Sequence, residues 1–138
     1  MAKGTLNSTI AGCGFHHISI YAPNFDHALQ FYRDVLGMRE HLQFLIGERR
    51  FVLLDCGDGS FIELQEPEQS SSGEAAVTPL AHFALAVDDV NFVLDKARQA
   101  GSAVTMEPKQ INLGGKCPAV VAFFTGPSGE SVELFQEL

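Results

Sequence analysis

Two histidines and two glutamates stand at matching places in the two halves of the chain. His17 lies near the head of HHISIYAP and Glu63 in FIEL, while His82 opens HFALAVDD and Glu133 sits in SVEL. The separations are 46 and 51 residues, so the second half repeats the order of the first with a small insertion. Two imidazole nitrogens and two carboxylate oxygens are a suitable ligand set for a catalytic divalent cation. Any one of these residues alone is an ordinary strand or surface residue. The repeated His/Glu set points to metal chemistry in a site made by duplication.

Other anchors keep the same order. Aligning His17 with His82 brings Gly37 and Gly101 to within one position of each other. Aligning Glu63 with Glu133 puts Gly59 and Gly129 in register, each four residues before its glutamate.

These residues must be placed by strands and helices. Residues 15 to 22 alternate as a strand, with His17, Ser19 and Tyr21 on one face and Ile18 and Ile20 on the other. Pro23 breaks it and Asn24 caps a helix running to about Leu36, with Ala28, Leu29, Phe31, Tyr32, Val35 and Leu36 as its apolar stripe. Gly37 ends that helix. Residues 39 to 46, 49 to 55 and 60 to 66 read as three strands. The polar run 67 to 79 serves as a linker. The pattern then restarts with a strand at 81 to 87 and a helix from about Asp89 to Ala100. That helix is capped by Asp88 or Asp89, carries the stripe Val90, Val93, Leu94 and Ala97, and is stopped by Gly101. Strands near 103 to 107, 119 to 125 and 130 to 136 complete the second half.

The expected fold is α+β: two tandem βαβββ modules, about 15–66 and 80–137, after a loose leader at 1–13. Strand alternation sets each candidate ligand opposite an aliphatic face: Glu63 opposite Ile62 and Leu64, Glu133 opposite Val132 and Leu134, and His82 opposite Phe83 and Leu85. The four polar groups then line the inside of a curved sheet, where a carboxylate is costly unless paired or bound to a metal.

Composition narrows the function classes. The chain has 138 residues and a net charge of −8, with no basic stripe, which argues against nucleic acid or an anionic membrane as partner. No apolar run approaches the roughly 20 residues of a membrane span, and MAKGTLNSTIAG lacks the layout of a secretion signal. Cys13, Cys56 and Cys117 are odd in number and contain no CxxC pair, as expected of a cytoplasmic protein.

The runs HHISIYAPNFDHALQFYRDVLGM, GSFIELQEP, AHFALAVDD and GPSGESVELFQ resemble the vicinal oxygen chelate superfamily, which includes glyoxalase I, methylmalonyl-CoA epimerase, extradiol dioxygenases and fosfomycin-resistance proteins. The resemblance runs from about residue 15 to 137, and FYRDVLGM and GPSGESVEL carry it most specifically. It implies a cup of two modules, helices on its outer face, holding one divalent metal ion per site: zinc, nickel or cobalt, with iron or manganese as alternatives. On this pattern the metal ligands are His17, Glu63, His82 and Glu133. His17 is preferred to His16, which would point to the opposite face, and His27 and His41 have no place in the set. A glutamate at 63 looks most like glyoxalase I. Two positions depart from the glutathione-using members, which carry an arginine four residues after the first histidine and an asparagine four after the first glutamate. Here these are Tyr21 and Pro67.

The resemblance therefore implies a glyoxalase I-like lyase or isomerase acting on a small 2-oxo, hydroxy or thiol-conjugated substrate. Its metal would stabilise an enediolate. Glu133 is the favoured proton carrier and Glu63 is able to share that role. Two alternatives are an extradiol-type dioxygenase and a non-catalytic binding protein for a drug or metabolite. The resemblance also implies a homodimer. Asn112-Leu113-Gly114-Gly115-Lys116 is a candidate mobile lid, set against a plain hairpin connection with a solvated lysine.

Overall fold

The computed structural model describes residues 3–68, 78–127 and 129–138. The chain divides into two compact units, His17–Ala81, and Met1–His16 together with His82–Leu138.

The unit His17–Ala81 is a βαβββ module. Its elements are β1 (Gly14–Tyr21, entering the unit at His17), α1 (Phe25–Gln30), a π-helical turn (Phe31–Val35), β2 (Arg39–Ile46), β3 (Arg49–Asp55) and β4 (Phe61–Gln65). The strands run in the order β2-β3-β4-β1. β1 and β4 are parallel, with Ser19 opposite Glu63, whereas β3 runs antiparallel to both β4 and β2. Parallel neighbours need a crossover, and α1 with β2 and β3 supplies it. Asn24 Oδ1 accepts the His27 N–H at 3.2 Å and caps α1. The core packs Phe25 and Leu29 against Val52, Leu54 and Leu64, with Ile20, Ala28, Tyr32 and Ile62 around them.

The expected helix to Leu36 stops being α-helical after Gln30. In the π-helical turn the Leu36 N–H bonds to the Phe31 carbonyl, an i to i+5 step, at 3.1 Å. That widening rotates the following side chains off the 3.6-residue stripe. Val35 and Leu36, expected to be buried, are therefore 69% and 51% exposed; Phe31, also expected to be buried, stands off the packed face at the start of the turn and is 44% exposed. The face that does pack is Phe25, Ala28, Leu29 and Tyr32, spaced i, i+3, i+4 and i+7.

The other unit repeats the plan with β5 (Leu80–Ala86, entering at His82), α2 (Val90–Gln99), β6 (Val104–Leu113), β7 (Cys117–Thr125) and β8 (Ser131–Glu137). The strand order is β5-β8-β7-β6, and β5 and β8 are parallel with Ala84 opposite Glu133. Asp89 caps α2 by accepting the Phe92 N–H at 3.1 Å. The helix buries Val90, Val93 and Leu94 against Ala122 and Leu134. Gly101 ends it at φ 93°, a conformation with little cost only for glycine. Residues 3–13 carry turns rather than a regular element, and Ile10 packs beside the α2 cluster.

β6 is longer than expected, running from Val104 to Leu113 through Pro108. Its pairing with β7 slips between Val104 and Met106 and again between Met106 and Lys109. An edge strand with bulges admits a proline that a central strand would not. Asn112 and Leu113, assigned to the candidate lid, are paired strand residues opposite Pro118 and Cys117. Only Gly114, Gly115 and Lys116 form the turn, so the segment is a hairpin connection. Most of the expected linker, residues 69–77, lies outside the described residues, as does Ser128 in the GPSGESVEL run.

Candidate metal centre

Each module brings its own histidine to its own glutamate, and does so in the same way. Glu63 is the register partner of Ser19, and Glu133 that of Ala84. His17 lies two residues before Ser19, and His82 two before Ala84. With a strand period of two, each histidine therefore shares a sheet face with the glutamate on the parallel neighbour. His17 Nε2 is 3.9 Å from Glu63 Oε1. His82 Nε2 is 2.9 Å from Glu133 Oε2. His17, Glu63 and Glu133 are buried, and the His82 side chain is 13% exposed.

The opposite faces are those the sequence indicates. Leu64, two-sided neighbour Ile62 and Ile20 pack toward α1, and Leu134 and Leu85 toward α2. Phe123, opposite Glu133 on β7, sets its ring edge-on to His82 at 5.1 Å between centroids.

Beside Glu63 stands a chain of donors that the sequence did not single out. Ser19 Oγ donates to Glu63 Oε1 at 2.8 Å, and Gln65 Nε2 donates to Ser19 Oγ at 2.7 Å. Arg49 Nη2 donates to Gln65 Oε1. The alternation in HISI places Ser19 on the face of His17, and the step of two from Glu63 to Gln65 is equally readable. The β1–β4 register that joins them is not.

His16 is fully engaged elsewhere. Its ring stacks on Phe135 at 4.0 Å between centroids, and its Nε2 lies 2.8 Å from Glu137 Oε1. His27 is exposed on α1, and His41 is exposed with its ring 4.9 Å from Phe61. Cys13, Cys56 and Cys117 are all free thiols, and burial pushes the Cys117 thiol up from its ordinary value. Among the described residues no helix is long and apolar enough to cross a membrane.

The donor set itself fits a divalent cation. In each module the carboxylate and the imidazole are hard and borderline ligands that zinc, nickel, cobalt, iron and manganese accept, and no thiolate belongs to either pair. Two parallel-paired βαβββ modules, each carrying one such pair, define the vicinal oxygen chelate class of protein. The model of the Glyoxalase/Bleomycin resistance protein/Dioxygenase superfamily matches residues 14–134, and the chain belongs to that family.

Relatives sharpen the comparison. A probable lactoylglutathione lyase of Synechocystis is 30% identical over 125 residues, covering 87% of this chain and 92% of that one. A lactoylglutathione lyase of Arabidopsis thaliana is 30% identical over 127 residues, but the chain spans only 44% of its length. Among solved structures, the methylmalonyl-CoA epimerase of Mycobacterium tuberculosis shares the fold at a TM-score of 0.79 and 21% identity, covering 100% of this chain and 96% of that one. A methylmalonyl-CoA epimerase of Streptomyces coelicolor, in complex with 2-nitronate-propionyl-CoA, gives a TM-score of 0.70 at 25% identity, over 88% of this chain and 95% of that one.

Proposed function

We propose that the chain is a divalent-metal-dependent lyase or isomerase of the glyoxalase I type, which moves a proton at a carbon beside a carbonyl group. The observation that carries this reading is the His/Glu pair, present twice in the same strand register, with both glutamates buried. His17, Glu63, His82 and Glu133 would hold one zinc, nickel or cobalt ion. When bound, such an ion supplies Lewis-acid stabilisation of negative charge on adjacent substrate oxygens.

The protein's own share of the reaction is proton transfer. Glu133 takes the proton from the substrate C–H, leaving the electron pair delocalised onto the carbonyl oxygen. It then returns the proton to the neighbouring carbon; for inversion at the same carbon, a solvent proton enters from the opposite face and Glu133 passes its own proton to solvent. The charge on Glu133 is restored, and no external oxidant or reductant is needed. The first outcome describes a lyase such as the lactoylglutathione relatives, and the second an epimerase such as the methylmalonyl-CoA relatives. Both substrates are thiol conjugates, and that is the substrate class we assign. Tyr21 and Pro67 replace the residues that grip glutathione, which favours a thiol other than glutathione.

The test is elemental analysis of the purified, untagged protein, followed by assays with hemithioacetals of several thiols and with 2-methylmalonyl-CoA in D2O. Near one equivalent of zinc, nickel or cobalt, with deuterium entering one of these substrates, is the expected result. Protein that neither carries nor takes up a divalent metal would end the metalloenzyme reading. Iron with oxygen consumption on a catechol would replace it with a dioxygenase.

A further inference from the structure

The two glutamates occupy equivalent places in the repeat, yet their surroundings differ in kind. In the first module Glu63 faces Ser19, followed by Gln65 and Arg49. Strand register gives the counterpart of each. Ser19 is opposite Glu63 as Ala84 is opposite Glu133, and Gln65 follows Glu63 by two as Phe135 follows Glu133. On the next strand Phe51 faces Gln65 as Val121 faces Phe135, so Arg49 corresponds to Ala119. The counterparts Ala84, Phe135 and Ala119 pack together with Val121 as a buried apolar cluster. A polar relay in one module has become a dry plug in the other.

The relay has a fixed direction. Arginine only donates, so the Gln65 oxygen faces Arg49 and its NH2 group faces Ser19. That NH2 occupies a lone pair of the Ser19 oxygen and leaves the single hydroxyl proton to point at Glu63 Oε1. Ser19 is 0% exposed and Gln65 5%, so water does not compete for these bonds. Arg49 is itself anchored by its Nε bond to the Glu66 carbonyl at 2.8 Å and by its position 5.0 Å over the Phe51 ring. A chain of donors ending on a positive charge draws electron density toward it and fixes one carboxylate oxygen in place.

Resting on the metal reading above, we propose that Ser19, Gln65 and Arg49 are positioning residues that lock Glu63 as the static carboxylate ligand. They thereby divide the labour of two duplicated glutamates. The Ala84 and Phe135 positions offer no such donor, and the carboxylate between them is the one assigned to proton transfer. Partners of this kind, bonded to a ligand rather than to the metal, commonly change metal affinity 10- to 100-fold.

The test uses full-length protein stripped with a chelator and titrated with Co2+, read by isothermal calorimetry and by the visible absorption of the bound ion. Ser19→Ala is expected to raise the Co2+ dissociation constant about 10- to 100-fold and to alter the absorption bands. Ser19→Thr, which keeps the hydroxyl, is expected to restore both. Gln65→Leu keeps the Ser19 oxygen but frees its proton to turn away, and a smaller loss in the same direction is expected, which guards against Ser19→Ala failing to fold. Unchanged affinity and spectrum in folded Ser19→Ala and Gln65→Leu, beside wild-type protein that binds Co2+, would overturn the relay alone. Wild-type protein that binds no Co2+ would overturn the metal reading and the relay with it.

Discussion

Replacing Glu133 by glutamine separates proton transfer from folding and from metal binding. Glutamine has the same shape, and the site it enters is tight: the Glu133 side chain is 8% exposed and lies 2.9 Å from His82 Nε2. Its register neighbours are Ala84 and Phe123, so no hydrogen bond to either of these side chains is lost with the charge. The fold should therefore survive. An amide oxygen remains available as a ligand, but an amide does not accept a proton at neutral pH. Positioned proton transfer contributes about 10²- to 10⁴-fold to rate. That range corresponds to roughly 2.7–5.4 kcal/mol of barrier. kcat and kcat/KM should fall together by this factor, because the missing interaction is made only on the way to the transition state. Glu63→Gln should lose less, since Glu63 is not the assigned proton carrier and Ser19 Oγ, 2.8 Å from Glu63 Oε1, still has an amide oxygen to donate to. The assay is deuterium entry from D2O into the substrate, with metal content measured on the same samples. Turnover by Glu133→Gln at the wild-type rate would refute the assignment. So would a loss of turnover that merely tracks lost metal, because Glu133 would then be a ligand and nothing more.

Further perturbations test other parts of the reading. A metal bound only by the folded protein stabilises it by about 2.7 kcal/mol at one hundred times its dissociation constant. At roughly 2–4 °C per kcal/mol for a chain of this size, thermal melts of chelated protein should rise by about 5–11 °C on adding Co2+. His17→Ala and His82→Ala should each remove most of that rise, and a rise that persists in both would place the metal elsewhere. Leu134 is 0% exposed beneath α2, so Leu134→Ala should cost about 2–5 kcal/mol in denaturant unfolding. Val35→Ala, in the exposed π-helical turn, should stay within about 0.5 kcal/mol, and a large loss there would contradict the turn. Glu66 accepts the Arg50 backbone N–H at 2.7 Å, and this bond, with those from the Arg50 side chain, holds its carboxyl below the ordinary glutamate range. The unfolded chain therefore takes up that proton first as pH falls. The stabilisation is complete above the ordinary glutamate value and is lost as pH drops through the lower folded value. Glu66→Gln should melt below wild type at pH 7, with the gap closing toward pH 3. A gap that is constant across that range would count against the linkage.

What could be read from the residues alone was whatever depends on local period and on repetition. Alternation placed His17 and Ser19 on one face. Ile62 and Leu64 beside Glu63, and Leu134 beside Glu133, pack under the helices as that alternation requires. Asn24 and Asp89 cap where short polar side chains precede apolar stripes. The departures share one cause, in that tertiary structure overrode a local rule. The stripe ending at Val35 and Leu36 is a good α-helical pattern, and one π-helical turn is enough to expose it. Pro108 reads as a strand breaker, and an irregular edge strand absorbs it.

The relay beside Glu63 belongs to the same category and reaches further into function. Each of Ser19, Gln65 and Arg49 is unremarkable in its own segment, and only the β1–β4 register, with Gln65 facing Phe51 across β4 and β3, joins them. Duplication makes the histidines and glutamates easy to find because they recur in the same order in both halves. It hides the residues that make the copies unlike, since those are the positions where the repeats no longer match. In a duplicated site that must hold a metal with one carboxylate and move a proton with the other, the division of roles has to lie in such unmatched neighbours. On the reading proposed above, Ser19 against Ala84, and Gln65 against Phe135, would be the pairs that carry it here.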